Sequence, residues 1–220
     1  FYSKILLFGE YGIIRDSKGL SIPYNFYNGA LKKNENPSVE AIASNASLKR
    51  FANYLETLEN EQINLVSFNL NTLKNDIDTG MYFDSSIPQG YGVGSSGALV
   101  AAIYDKYAQN KITVLENLTR EKLLQLKNIF AQMESFFHGK SSGLDPLNSY
   151  LSIPILINSK DHIEATGIPT QSFDGKAAVF LLDSGIIGET APMINIFMEN
   201  LKDKGFRAML KNQFVKYTDA

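Results

Sequence analysis

Ile87-Pro88-Gln89-Gly90-Tyr91-Gly92-Val93-Gly94-Ser95-Ser96-Gly97-Ala98 is the stretch on which the reading of this chain turns. Glycines at 90, 92 and 94 let the backbone bend tightly and come close to a ligand. Beyond them Leu99, Ile103 and Tyr107 recur at four-residue spacing beside Val100, Tyr104 and Ala108, which predicts a largely buried helix over Ser95–Ala108. A glycine loop that runs into a helix start offers free amides and the positive end of the helix dipole, and both favour an anion such as phosphate. The hydroxyls of Ser95 and Ser96 can bind phosphate oxygens or a magnesium ion. A plain turn with a serine cap would use the same residues.

Two other phosphate loops compete with this reading. A Walker A loop ends in Gly-Lys-Ser/Thr, and no lysine stands here. Gly92-Val93-Gly94-Ser95-Ser96-Gly97 does match the dinucleotide fingerprint G-x-G-x-x-G, with Glu116 about 20 residues beyond as a ribose-binding acid. That fingerprint follows a strand directly, whereas Pro88-Gln89-Gly90 intervenes here. A dinucleotide-binding oxidoreductase therefore stays as the alternative from another class.

Outward from the loop, strands are expected over Ile5–Phe8 (buried), Gly19–Tyr27, Leu65–Leu70, Met81–Ile87 and Ala177–Leu182. Lys32–Pro37 reads as a loop. Helices are expected over Ser47–Leu58, from the cap Thr119 to the stop at Gly139, and over Thr190–Leu201 and Phe206–Tyr217. Strands and helices mix without regular alternation, which gives an α+β class.

Hydrophobic residues make up 44% of the chain and charged residues 20%, enough for a packed core. Twenty-one basic side chains balance 23 acidic ones, for a formal charge of -2 without a basic stripe. Nucleic acid is thus a poor partner, and no apolar run is long enough for a membrane span. The lack of cysteine excludes disulfides and thiolate chemistry and fits a cytoplasmic setting. Phe1-Tyr2-Ser3-Lys4 does not read as a signal peptide, and the lack of an initiator Met suggests a start further upstream.

Two more segments carry chemistry-bearing residues. Lys4-Ile5-Leu6-Leu7-Phe8-Gly9-Glu10-Tyr11 places a lysine before an apolar strand that ends in Gly-Glu-Tyr. Glu134-Ser135-Phe136-Phe137-His138-Gly139-Lys140-Ser141-Ser142-Gly143-Leu144-Asp145 puts Glu134 and His138 on one helix face. Its glycines allow Asp145 to swing back toward the helix end, and Pro146 is expected to hold Asp145 out of helical geometry.

In this order the three segments resemble the GHMP kinase superfamily. Pro88-x-Gly90-x-Gly92-x-Gly94-Ser95-Ser96 is similar to its central motif P-x-x-x-G-L-G-S-S-A, with Val93 for the leucine and Gly97 for the alanine. The Glu134–Asp145 segment resembles mevalonate kinases, with Ser141 in place of a proline, while Gly-Glu-Tyr is also similar to phosphomevalonate kinases. The Pro-Gly usual before the lysine is replaced by Tyr2-Ser3.

The resemblance implies an ATP-dependent phosphotransferase that passes the γ-phosphoryl group to an alcohol, most closely mevalonate in isoprenoid precursor synthesis. A phosphomevalonate, sugar or homoserine-type kinase and an inactive nucleotide-binding relative are the alternatives. It assigns ATP binding to Pro88, Gly90, Gly92, Val93, Gly94, Ser95 and Ser96, and Mg²⁺ to Ser96 and Glu134. Asp145 and Lys4 would be catalytic, and Glu10, Tyr11, His138 and Ser142 would form the acceptor pocket. It further implies a two-lobed fold, with residues 1–153 as the nucleotide-binding domain and 154–220 as the start of a second, truncated lobe. A homodimer is left open. The further glycine-rich motif of the superfamily is not found; Gly185-Ile186-Ile187-Gly188 is too sparse.

Overall fold

A computed structural model describes residues 1–34, 36–114, 118–159, 161–167, 182, 185, 187–188 and 190–219. Strand β1 (Tyr2–Phe8) pairs antiparallel with the long β2 (Gly19–Lys33). The far end of β2 pairs with β3 (Met81–Ser85), and its start, Gly19–Ser21, with β4 (Ile155–Ser159). β5 (His162–Ala165) completes a five-stranded sheet in the order β1-β2-β4-β5, with β3 attached to β2. The sheet therefore continues across position 153 through β4 and β5.

Every one of these pairings is antiparallel. A dinucleotide fingerprint needs a parallel βαβ unit with the glycine turn directly after its strand. Residues 86–94 intervene between β3 and the next helix, and among the described residues no strands pair in parallel, which weighs against the oxidoreductase alternative. Glu116 lies outside the described residues. So does the strand expected over Ala177–Leu182, except for an exposed Leu182.

Helix α1 (Val39–Asn60) contains the expected 47–58 stripe and starts at Ser38, whose Oγ accepts from Ala41 N at 3.2 Å. Leu48, Phe51, Ala52, Leu55 and Leu58 are all buried. The strand expected over Leu65–Leu70 is absent. Asn69 Oδ1 accepts from Thr72 N and caps α2 (Leu70–Asp78), which buries Leu73 and Ile77. Only a bridge between Phe68 and Ala108 survives there among the described residues. The short apolar alternation lost to an Asn cap followed by helical spacing.

Helix α3 (Ser95–Tyr107) follows the glycine loop, and α4 (Arg120–His138) runs from its Thr119 cap to Gly139. α5 (Leu144–Leu151) includes Asp145, against expectation. A first-turn proline gives up an N–H that has no intrahelical partner, so Pro146 is compatible with a helix that begins at Leu144. α6 (Thr190–Asn200) and α7 (Lys204–Met209) follow; α7 winds on through a π-helical stretch, Leu210–Val215, into a last turn at Lys216–Thr218. Two strand expectations also shift. β2 extends into the expected loop, and β1 is an edge strand whose Leu7 and Phe8 are 48% and 40% exposed.

The core joins α1, α3, α4 and α5 over the sheet. Tyr104, Phe130 and Tyr150 meet edge to face at its centre, with ring centroids 5.0–5.5 Å apart. Their two buried hydroxyls are satisfied by one residue: Ile112 N donates to Tyr104, and Tyr150 donates to Ile112 O. At the outer end of α3, Asp76 accepts from Lys33 (2.8 Å), Lys106 (3.0 Å) and the Tyr107 hydroxyl (2.7 Å). This network ties α2 to β2 and α3. Among the described residues no helix is long and apolar enough to cross a membrane.

Candidate active site

Gly90, Gly92 and Gly94 all have positive φ, between 67° and 83°. This explains why the loop needs glycine at alternate positions. Gly94 is the N-cap of α3, and the first intrahelical bond runs from Ala98 N to Gly94 O. The amides of residues 95–97 are therefore the orphan donors of the helix end. Gly143, also at positive φ, is the N-cap of α5. The caps of α1, α2 and α4 are side chains: Ser38, Asn69 and Thr119. Both helices that open on the site are capped by glycines: at α3 no side chain caps the end, whereas at α5 Ser141 and Ser142 accept from the amides of Gly143 and Leu144.

These two helix starts lie against each other. A methyl group at Gly97 would sit 2.8 Å from the Asp145 carbonyl carbon and from Pro146 N. Asp145 thus rests directly on the first turn of α3. Lys4 reaches the same point from β1: its backbone N donates to Val93 O (3.0 Å), and its side chain passes over Gly94. Lys4 Nζ ends 3.0 Å from Asp145 Oδ1. The lysine is buried, while the aspartate side chain keeps 34% exposure.

Glu134 and His138, one turn apart on α4, both meet Ser96. Ser96 Oγ donates to Glu134 Oε1 (2.9 Å) and lies 3.0 Å from His138 Nε2. Ser141 Oγ donates to the other carboxylate oxygen of Glu134 and accepts from Gly143 N. Glu134 is 4% exposed. Burial, and then the negative charge of Asp145, push its carboxyl up to about 7; Ser141, Ser96 and Lys4 pull the other way. The result is a buried carboxylate short of positive charge.

This oxygen set fits a magnesium ion. Ser96 Oγ and Glu134 Oε1 share a 2.9 Å hydrogen bond, and a hydroxyl and a carboxylate are hard oxygen donors of the kind this ion takes. No cluster of three or more His, Asp or Glu occurs among the described residues. Water and phosphate oxygens would complete the shell, as is usual for this ion.

The acceptor candidates divide. His138 and Ser142 lie next to the Glu134–Asp145 cluster, with Ser142 Oγ accepting from Leu144 N. Glu10 and Tyr11 lie at the opposite end of β1 from Lys4, in the turn that follows it. Of these four only Ser142 lines a cavity of about 260 Å³, together with Leu144, Lys127, Ile157, Ser159, Ile163 and, from the turn after β1, Ile13, Ile14 and Asp16. Pro88 and Tyr91 are half-buried along the loop, and Val93 packs against the cluster of Phe83, Ile87, Ala98 and Ala102. Sequence reasoning passed over Ser141 and Gly97. The signal for Ser141 was a hydroxyl within the loop that joins the glutamate to the aspartate. For Gly97 it was a fourth glycine where the similar motif has alanine.

Residues 48–152 match the family model for the GHMP kinases N terminal domain. That span includes the glycine loop, Glu134, His138, Ser142 and Asp145, and it leaves out Lys4, Glu10 and Tyr11. No curated protein matches the chain. The match points toward the GHMP kinase superfamily, whose members are ATP-dependent phosphotransferases acting on small-molecule alcohols. It does not single out an acceptor.

Proposed function

We propose that this chain is the nucleotide-binding part of a small-molecule kinase that uses Mg-ATP and phosphorylates mevalonate or a closely similar branched hydroxy acid. The observation that carries the reading is the contact between Asp145 and the first turn of α3, with Lys4 bonded to the same carboxylate. It sets a proton acceptor and a cation beside an uncapped helix start that follows a glycine loop. Phosphoryl transfer requires little else: in-line positioning and stabilisation of charge.

In this reading the loop amides and the α3 N-terminus hold the nucleotide phosphates. Ser96 and Glu134 would hold Mg²⁺, which when bound neutralises charge on the phosphate oxygens. Asp145 accepts the proton of the attacking hydroxyl, and Lys4 keeps that carboxylate in place and faces the transferred group. The acceptor occupies the cavity between Ser142 and the turn after β1. Ile13, Ile14, Leu144, Ile157 and Ile163 make its wall mostly apolar. Such a wall suits a branched hydrocarbon skeleton better than a sugar, whose many hydroxyls would each need a partner.

The test is ADP release by the full-length protein with mevalonate, phosphomevalonate, homoserine and several sugars in parallel. Mevalonate is expected to give the highest kcat/KM. In Asp145→Asn, turnover should fall at least about a hundredfold while ATP still binds. A preference for a sugar would refute the acceptor assignment, and unchanged turnover in the variant would remove Asp145 from the chemistry.

A further inference from the structure

The turn between β1 and β2, residues 9–18, holds an unusual backbone. Tyr11 has φ 58° and ψ -34°, and Asp16 has φ 58° and ψ 25°. Two non-glycine residues at positive φ within one short turn are costly and persist only where the surroundings over-determine them. Bonds inside the turn contribute, with Gly12 N donating to Glu10 O and Ile13 N to Gly9 O. Further restraint comes from the helices after residue 190.

Three separate contacts reach the turn from the helices after residue 190. Tyr11 stacks on the buried Phe197 of α6, with centroids 5.0 Å apart. Gly12 lies under Phe214, so that a methyl group there would sit 2.9 Å from Phe214 Cε1. Asp219 Oδ1 accepts from Lys18 N (2.8 Å) and Ser17 Oγ (3.1 Å), and Lys18 Nζ donates to the Asp219 carbonyl (2.6 Å). Phe197 also meets Phe206 edge to face, which joins α6 to α7. Meanwhile Ile13, Ile14 and Asp16 of the same turn line the 260 Å³ cavity opposite Ser142 and Leu144.

We infer that the C-terminal helices hold the 9–18 turn in its strained form, and that Phe197 and Asp219 are positioning residues for the phosphoryl acceptor. They act through the turn: one stacks on its start, the other ties its end. This rests on the kinase reading for the identity of the cavity's occupant, but the clasp itself does not. The nucleotide side, built on Gly90–Gly97, is expected to be insensitive to it.

The experiment compares Asp219→Ala, Phe197→Ala and the conservative Phe197→Tyr in the full-length protein by hydrogen exchange and steady-state kinetics. Amides 10–18 should exchange at least about tenfold faster in the two alanine variants, while those of α3 and α4 keep their protection. The acceptor KM should rise about tenfold or more with the ATP KM within about twofold, and Phe197→Tyr should restore both. Asp219→Ala removes the two side-chain bonds to Ser17 and Lys18 N without opening the Phe197 packing, and keeps the test valid if Phe197→Ala does not fold. Unchanged exchange at 10–18 overturns the clasp whatever the kinetics show. Faster exchange with an unchanged acceptor KM overturns the positioning role. If no alcohol tested stimulates ADP release by the wild type, the kinase reading fails and the acceptor role falls with it, while exchange still decides the clasp.

Discussion

Replacing Glu134 by glutamine should stabilise the nucleotide-free protein at high pH. Glu134 is 4% exposed, and its carboxyl is raised from 4.5 to about 7. The sign follows from linkage. A carboxyl raised in the folded state binds more protons folded than unfolded between those two values, so stability falls as pH rises through that window. The gap between 4.5 and about 7 amounts to roughly 3 kcal/mol, most of it expressed between pH 5 and pH 8. Glutamine keeps the shape and an acceptor oxygen for Ser96 or Ser141 but carries no titration. Urea denaturation of both proteins at pH 5 and pH 8 should therefore show the variant gaining about 2–3 kcal/mol on the wild type across the interval. In thermal melts this is about 5–10 °C for a chain of this length. Saturating Mg-ATP should narrow the wild type's deficit at pH 8, because a cation beside the carboxylate supplies the missing positive charge, and should do little for the variant. A relative gain below about 1 kcal/mol would refute the argument that burial leaves this carboxylate short of compensation.

Three other outcomes are expected. Ser96→Ala should weaken Mg-ATP more than metal-free ATP in paired titrations, because it removes one of the two oxygens spaced 2.9 Å apart. Gly97→Ala should lower kcat about tenfold or more with little change in ATP affinity, since its methyl would sit 2.8 Å from backbone atoms of Asp145 and Pro146 and displace the aspartate. Asp76→Asn should cost about 2 kcal/mol at neutral pH, mainly through the Tyr107 hydroxyl bond to a charged acceptor. Lys33, Tyr107 and Lys106 hold the Asp76 carboxyl well below the usual carboxylate range. Its contribution is therefore complete above the ordinary carboxylate value and drains as pH falls toward the lowered one, and acid titration of wild type and variant should converge.

Features set by neighbours in sequence were legible in advance. Thr119 and Gly139 bound α4 as expected, because a cap and a stop act within one turn. Gly94 opens α3 for the same reason. The cap at Asn69 is equally local and was overlooked in favour of a six-residue alternation, which cost the assignment of α2. Pro146 in sequence argues against helix at Asp145, but its place in the first turn of α5 makes it harmless. Contacts between distant segments could not be derived from spacing. Nothing local to Lys4 specifies that its amine meets Asp145, and nothing in the 9–18 turn announces Phe197 or Asp219. The spacing of Glu134 and His138 predicted a shared face, but not that Ser96 lies on it.

The departures from the similar motifs bear on whether such a site is maintained or decayed. A nucleotide-binding relative that had lost its chemistry would be expected to leave altered positions without compensating contacts. Here two altered positions carry contacts of their own. Gly97, where the motif has alanine, admits the backbone of Asp145 and Pro146 at a distance no side chain would allow. Ser141, where the motif has proline, donates to Glu134 and receives Gly143 N, so it offsets part of the burial of that carboxylate and fixes the turn into α5. Both substitutions tighten the joint between the glutamate, the aspartate and the start of α3. That favours a working phosphotransferase over an inactive one, and turnover in Gly97→Ala is the measurement on which the argument stands or falls.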